Sequence, residues 1–177
     1  MSGRRIRIPL TLFALATLCS LPGRPLLASG PDDRKDGHQI RIDIPVAMEK
    51  ADVVFNMDHL AFVGDMSIGM NYMRLLSNRF KDWHTAGHII GVFHGDAAYL
   101  TLNDSAYNAY RKVSTGNPHK AFIAELQRLG VQVEECGVSM KNHGWGNEDL
   151  LPGVKVNSGA VGRIVQLVQS GYVQIQP

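Results

Sequence analysis

Residues 88–94, His-Ile-Ile-Gly-Val-Phe-His, offer an apolar side chain to both faces of an extended chain. A strand alternates its side chains with period two, so a run with no polar face must be covered from both sides. The rest of the chain has to supply those covers, and its segments alternate accordingly. Ala51–Met57, Val131–Glu135, Val154–Val156 and Tyr172–Gln176 read as further strands. Between them, apolar residues recur every three or four positions, as amphipathic helices require. Met66, Met70, Met73, Leu76, Phe80 and Trp83 predict a first helix, with Asp58–Asp65 as the connection leading into it. Asn103-Asp104 can cap a helix over Ser105–Val113, with Tyr107 and Tyr110 on one face. Asn117-Pro118 starts another, with Phe122, Ile123, Leu126 and Leu129 as its stripe, and Gly130 stops it. Ser158 caps a last helix presenting Val161, Ile164, Val165 and Val168. Strand–helix alternation of this kind specifies an α/β fold with right-handed crossovers.

The first 28 residues do not read as part of that fold. Arg4, Arg5 and Arg7 precede an apolar stretch from Ile8 to Leu21, and small residues follow at Ala28-Ser29. This is the pattern of a secretory signal peptide. The apolar stretch is shorter than the ~20 residues of a spanning helix, so no stable membrane span is expected after cleavage, and a periplasmic or secreted location is. Residues 29–50 read as a flexible lead-in, in which Ile40, Ile42 and Ile44 can pair as an edge strand or pack as an arm. The domain proper is then 51–177. The chain has 18 Lys and Arg against 16 Asp and Glu. Cleavage removes Arg4, Arg5, Arg7 and Arg24 and no acid, so the small basic excess belongs to the leader and gives no support for nucleic-acid binding.

Of the two cysteines, Cys19 lies in the leader. Cys136 is then unpaired, which in an exported protein marks a reactive or intermolecular thiol. It ends the strand-like run Val131–Glu135, and Gly137–His143 can follow as a short helix. Ligand chemistry in parallel α/β sheets collects where strands end and helices begin. A thiol there meets free N–H groups and loses its proton more readily. The alternative is a small buried hydrophobe at a strand end.

Other candidates surround it. His94-Gly95-Asp96 forms a second strand tip, a natural pocket rim, and His94 can approach Cys136. His143 lies two turns after Cys136, ~10 Å along a helix axis, beyond direct hydrogen bonding. Trp145, between two glycines, is a lid, an oligomer contact or a loop anchor. Glu134 and Glu135 oppose a thiolate by their charge, although alternation sends them to opposite faces. The seven histidines include no His-x-x-Glu-His, no His-x-His and no CxxC partner, so neither a metal site nor a cofactor is implied.

Three segments together carry a resemblance: Gly87–Ala97, Leu129–Gly137 with Asn142-His143-Gly144-Trp145, and Leu151–Val154 with Gly171-Tyr172. In these the chain resembles the DsrE/DsrF-like family, in its exported branch, over nearly all of its length after the leader. The resemblance implies a three-layer α/β/α sandwich on a mainly parallel five-stranded sheet. It also implies a homotrimer or homohexamer, and sulfur relay through a persulfide on a cysteine after the third strand, a position held here by Cys136. A sulfur donor or acceptor protein would be the partner. Such a carrier needs an accessible sulfur. The pocket around it would comprise His94, Gly95, Asp96, His143 and Trp145. A non-catalytic module binding a small ligand or partner, and a structural oligomer with a buried thiol, are the other readings of the same residues.

Overall fold

The strand that is apolar on both faces lies at the centre of the sheet. The computed structural model describes residues 40–177; the expected leader and residues 29–39 of the lead-in lie outside the described residues. In chain order the elements are β1 (Val53–Met57), β2 (Phe62–Val63), β3 (Met66–Ser67), α1 (Ile68–Trp83), β4 (Ile89–Phe93), a 3-10 helix (Gly95–Thr101), α2 (Asp104–Arg111), α3 (Lys120–Arg128), β5 (Gln132–Cys136), α4 (Gly137–His143), a 3-10 turn (Asn147–Asp149), β6 (Lys155–Asn157), α5 (Ala160–Gln169) and β7 (Val173–Ile175). The main sheet runs β6-β5-β4-β1-β7. All of its pairings are parallel. All five residues of β4 are buried. The compact unit spans Ile44–Pro177.

Alternation along the strands sorts the core into two layers. Val53, Phe55, Met57, Ile89, Phe93, Val131 and Val133 pack with Met70, Met73 and Phe80 of α1 and with Ile123 and Leu126 of α3. On the opposite face Val54, Ile90, Val92 and Cys136 pack with Ala160, Ile164 and Leu167 of α5. Each fully buried Val or Phe among these contributes roughly 1.5–3 kcal/mol of transfer free energy. Among the described residues the second face is covered by α5, and this sets where the thiol lies.

Several local expectations need correction. Asp58–Asp65 is not a plain connection, because Phe62–Val63 pairs antiparallel with Met66–Ser67. Met66 therefore lies in a strand before α1. Two-residue strands leave too short a period to distinguish from a helical stripe. The last helix starts at Ala160 with Gly159 as its N-cap, one residue after the expected Ser158. Its buried face is Ala160, Ile164 and Leu167, whereas Val161, Val165 and Val168 point outward. Residues 40–49 hold neither strand nor helix.

Candidate functional site

Parallel pairing brings the C-terminal end of each main-sheet strand to one rim. The register aligns Phe93 with Glu135 and Cys136 with Asn157, so His94 and Cys136 each follow one step beyond a shared pair. Cys136 is the last residue of β5 and the N-cap of the seven-residue α4. A Cβ on Gly137 would lie 2.8 Å from the Asn157 carbonyl oxygen, so only glycine lets the chain turn into α4 that close to β6.

The sulfur is closed off from solvent. Cys136 is 4 % exposed. Its side chain points to the second face, where the first turn of α5 closes over it. The Ala160 N–H donates to Sγ at 3.3 Å. The Ser139 N–H, the Ser139 hydroxyl and the Val138 N–H also favour the charged form of the sulfur. Burial pushes the thiol pKa up, but these donors outweigh it and hold it below the ordinary value. Chemically this is a buried, hydrogen-bonded sulfur biased toward thiolate.

The two neighbouring acids, which threatened that bias, are neutralised in different ways. Glu134 is 3 % exposed and meets Arg163, whose Nε and Nη2 approach its oxygens at 2.8–3.1 Å. Gln132 Nε2 and Asn157 Nδ2 donate to it at 2.6 and 3.2 Å. Burial pushes its pKa up, yet Arg163 and the amide donors prevail and hold it low. Glu134 is thus an ionised acid with its charge matched. Glu135, on the opposite face, has no exposed surface, and burial pushes its pKa up to about 9. Near neutral pH it is an undissociated acid. A polar cleft of about 590 Å³, lined among others by Glu134, Lys155, Asn157, Ser158 and Arg163, opens beside this region. Its wall residue Asn157 is the register partner of Cys136, but Cys136 does not line it.

The expected pocket residues fall into separate groups. Gly95 is the one tied to the thiol's surroundings: its N–H donates to Ser139 Oγ at 3.3 Å. His94 leans toward β1 instead, with Nε2 2.6 Å from Asn56 Oδ1. Asn56 donates to Gln176, and Gln176 to Asp58. Burial lowers the His94 pKa against the attraction of Asp58, which favours the neutral imidazole. Asp96 is exposed and its N–H is held by the Asp58 carbonyl. His143 stacks on Trp145 with ring centroids 4.4 Å apart, and Tyr110 meets both edge-on. Neither histidine hydrogen-bonds the sulfur among the described residues. No group of three or more His, Cys, Asp or Glu there could hold a metal ion, and no helix there is long and apolar enough to cross a membrane.

Sequence reasoning missed four participants. Ser139 carried a signal, three residues after Cys136 in the helix that cysteine caps. Arg163 carried another, as the only charged side chain of α5. Thr101 and Ala160 carried none, since only the tertiary fold brings them to β5.

A parallel five-stranded α/β/α architecture with a thiol at the end of its third long strand defines a class of small α/β proteins. Within that class the chain belongs to the DsrE/DsrF-like family, whose profile matches residues 51–177. Two solved structures share its fold. A protein of unknown function, MTH1491 from Methanobacterium thermoautotrophicum, is 24% identical with a TM-score of 0.56, covering 72% of this chain and 99% of its own. The ychN protein from E. coli is 17% identical with a TM-score of 0.50, covering 72% of this chain and 99% of its own. No curated protein matches the chain significantly.

Proposed function

We propose that this protein is an exported sulfur carrier that holds sulfane sulfur as a persulfide on Cys136. The carrying observation is the Ala160 N–H donated to a thiol already held below its ordinary pKa. Membership of the DsrE/DsrF-like family, whose resemblance implied sulfur relay, supports the same reading. In the loading step the Cys136 thiolate attacks the outer sulfur of a donor such as thiosulfate. A Cys–S–S⁻ persulfide forms, the donor S–S bond breaks, and sulfite leaves with the electron pair. With the sulfur 4 % exposed, loading requires the first turn of α5 to move aside. The outward valines of α5 support self-association on that side, and the signal-peptide pattern supports export.

Intact-protein mass spectrometry after incubation with thiosulfate or polysulfide tests this. A gain of about 32 Da, one sulfur atom, on the wild type and none on Cys136→Ser is expected. An unmodified wild type under donor excess removes the carrier function.

A second reading rests on a specific observation, the burial of the thiol beside an open polar cleft. In it the fold is a non-catalytic module binding a small polar ligand at β6 and α5. That reading predicts that Cys136→Ala keeps ligand binding, whereas Lys155→Ala weakens it.

A further inference from the structure

The carboxyl group of Glu135 is the most deeply buried titratable group near the thiol, and the carrier chemistry does not use it. Thr101 and Glu135 are both wholly without exposed surface. The single Thr101 hydroxyl proton has two oxygens in reach: Ala98 O at 2.9 Å and Glu135 Oε2 at 2.7 Å. The other carboxyl oxygen, Oε1, accepts the Cys136 N–H at 3.0 Å. If the carboxyl carries a proton on Oε2, every donor has one acceptor. Cys136 N–H donates to Oε1, Oε2–H donates to Thr101 Oγ1, and Thr101 donates to Ala98 O. If the carboxyl is ionised, it sits wholly buried, and no Lys, Arg or His among the described residues forms an ion pair with it. A buried charge without a partner is strongly disfavoured.

We propose that Glu135, as an undissociated acid, is the positioning residue for Cys136: it ties the thiol-bearing residue's amide through Thr101 to the 3-10 helix at the β4 tip. Two consequences bear on the thiol. The Cys136 amide gains an acceptor at the strand's last residue, where a bare buried N–H would be costly. The acceptor is also neutral, so no uncompensated negative charge sits next to a sulfur that must ionise. Glu134, one residue earlier, needs Arg163 for the same end. The inference concerns the placement of the thiol and stands whether or not Cys136 carries sulfur.

The experiment uses the whole protein without a sulfur donor, so its failure is distinct from failure of the carrier function. Infrared spectra of the wild type near neutral pH should show a protonated-carboxyl stretch that Glu135→Gln removes. Glutamine can accept from Cys136 and donate to Thr101, so Glu135→Gln should leave the thiol's titration midpoint, read by thiolate ultraviolet absorbance, where it is. Glu135→Leu and Thr101→Val each break the chain of hydrogen bonds. They should speed alkylation of Cys136 by iodoacetamide about tenfold as its junction loosens. Three results would overturn the proposal: no protonated-carboxyl stretch in the wild type, a thiol midpoint lowered by Glu135→Gln as loss of a real charge would lower it, or alkylation unchanged in Thr101→Val. The wild-type spectrum and Thr101→Val keep the test decisive should Glu135→Leu fail to fold.

Discussion

The amide of Ala160 points at the sulfur of Cys136 from 3.3 Å, so one contact both starts the last helix and closes over the thiol. The two residues are 24 positions apart and meet because β5 and α5 share the second face of the sheet. This contact separates two properties that a sulfur carrier must combine, an activated sulfur and access to it.

Ala160→Pro tests the activating half. Proline is well tolerated at the first position of a helix, and Gly159 before it has extended backbone. The substitution removes the N–H donor and leaves α5 in place. The thiol midpoint, measured by thiolate absorbance against pH, should rise by about one unit, the scale of one hydrogen bond to a charged group.

Glu135 should make stability depend on pH in the opposite sense to an ordinary surface acid. Its pKa rises from 4.5 to about 9 on folding, so the folded chain holds a proton that the unfolded chain releases. The associated stability is complete below pH 4.5 and is lost as pH climbs through about 9. Across that window the loss approaches about 1.4 kcal/mol per unit. Urea midpoints at a series of pH values should show this slope in the wild type and not in Glu135→Gln.

Much of this arrangement could be read in advance, and the unreadable part has a common cause. The two apolar faces of Ile89–Phe93 placed that strand centrally, and the Glu135-Cys136-Gly137 junction located the thiol. Both depend on neighbours in the chain. That Cys136 is covered depends on Ala160, and that Glu134 is harmless depends on Arg163, both brought in by a crossover whose position no local pattern encodes. His94 illustrates the same limit: its strand-tip position was legible, but its turn toward Asn56 was not. The outward valines of α5 looked like a core stripe because a helix lying alone on a sheet buries only a narrow face.

Arg163→Met should destabilise the fold by about 2 kcal/mol, less than a fully buried pair because the arginine is partly exposed. Glu134 would remain a buried carboxylate with no ion-pair partner among the described residues, held by the Gln132 and Asn157 amides alone. Burial raises its pKa but Arg163 holds the net value low, so the pair's contribution is present above 4.5 and fades as pH falls through the depressed value. Chemical denaturation of Arg163→Met beside Glu134→Gln checks this, with the arginine variant the weaker.

Gly95→Ala should lower the melting temperature more than a surface Gly→Ala change. Gly95 has φ +56°, and an added Cβ would lie 2.6 Å from the Asp58 carbonyl oxygen. Strain of this kind costs roughly 1–3 kcal/mol. The β4 tip would have to shift, and with it the Gly95 N–H bond to Ser139. Calorimetry measures the loss.

Because every long strand points the same way, the thiol lies at one end of the sheet and the strands begin at the other. Lys81 and His84 lie where β4 begins, beside a shallow hollow that also includes Thr85 and Gly87. A strand's length, ~16 Å for five residues, separates that end from the sulfur. Dyes, affinity handles or surface linkers attached there would leave the thiol's environment as it is, so the protein can be immobilised by its back and interrogated at its front.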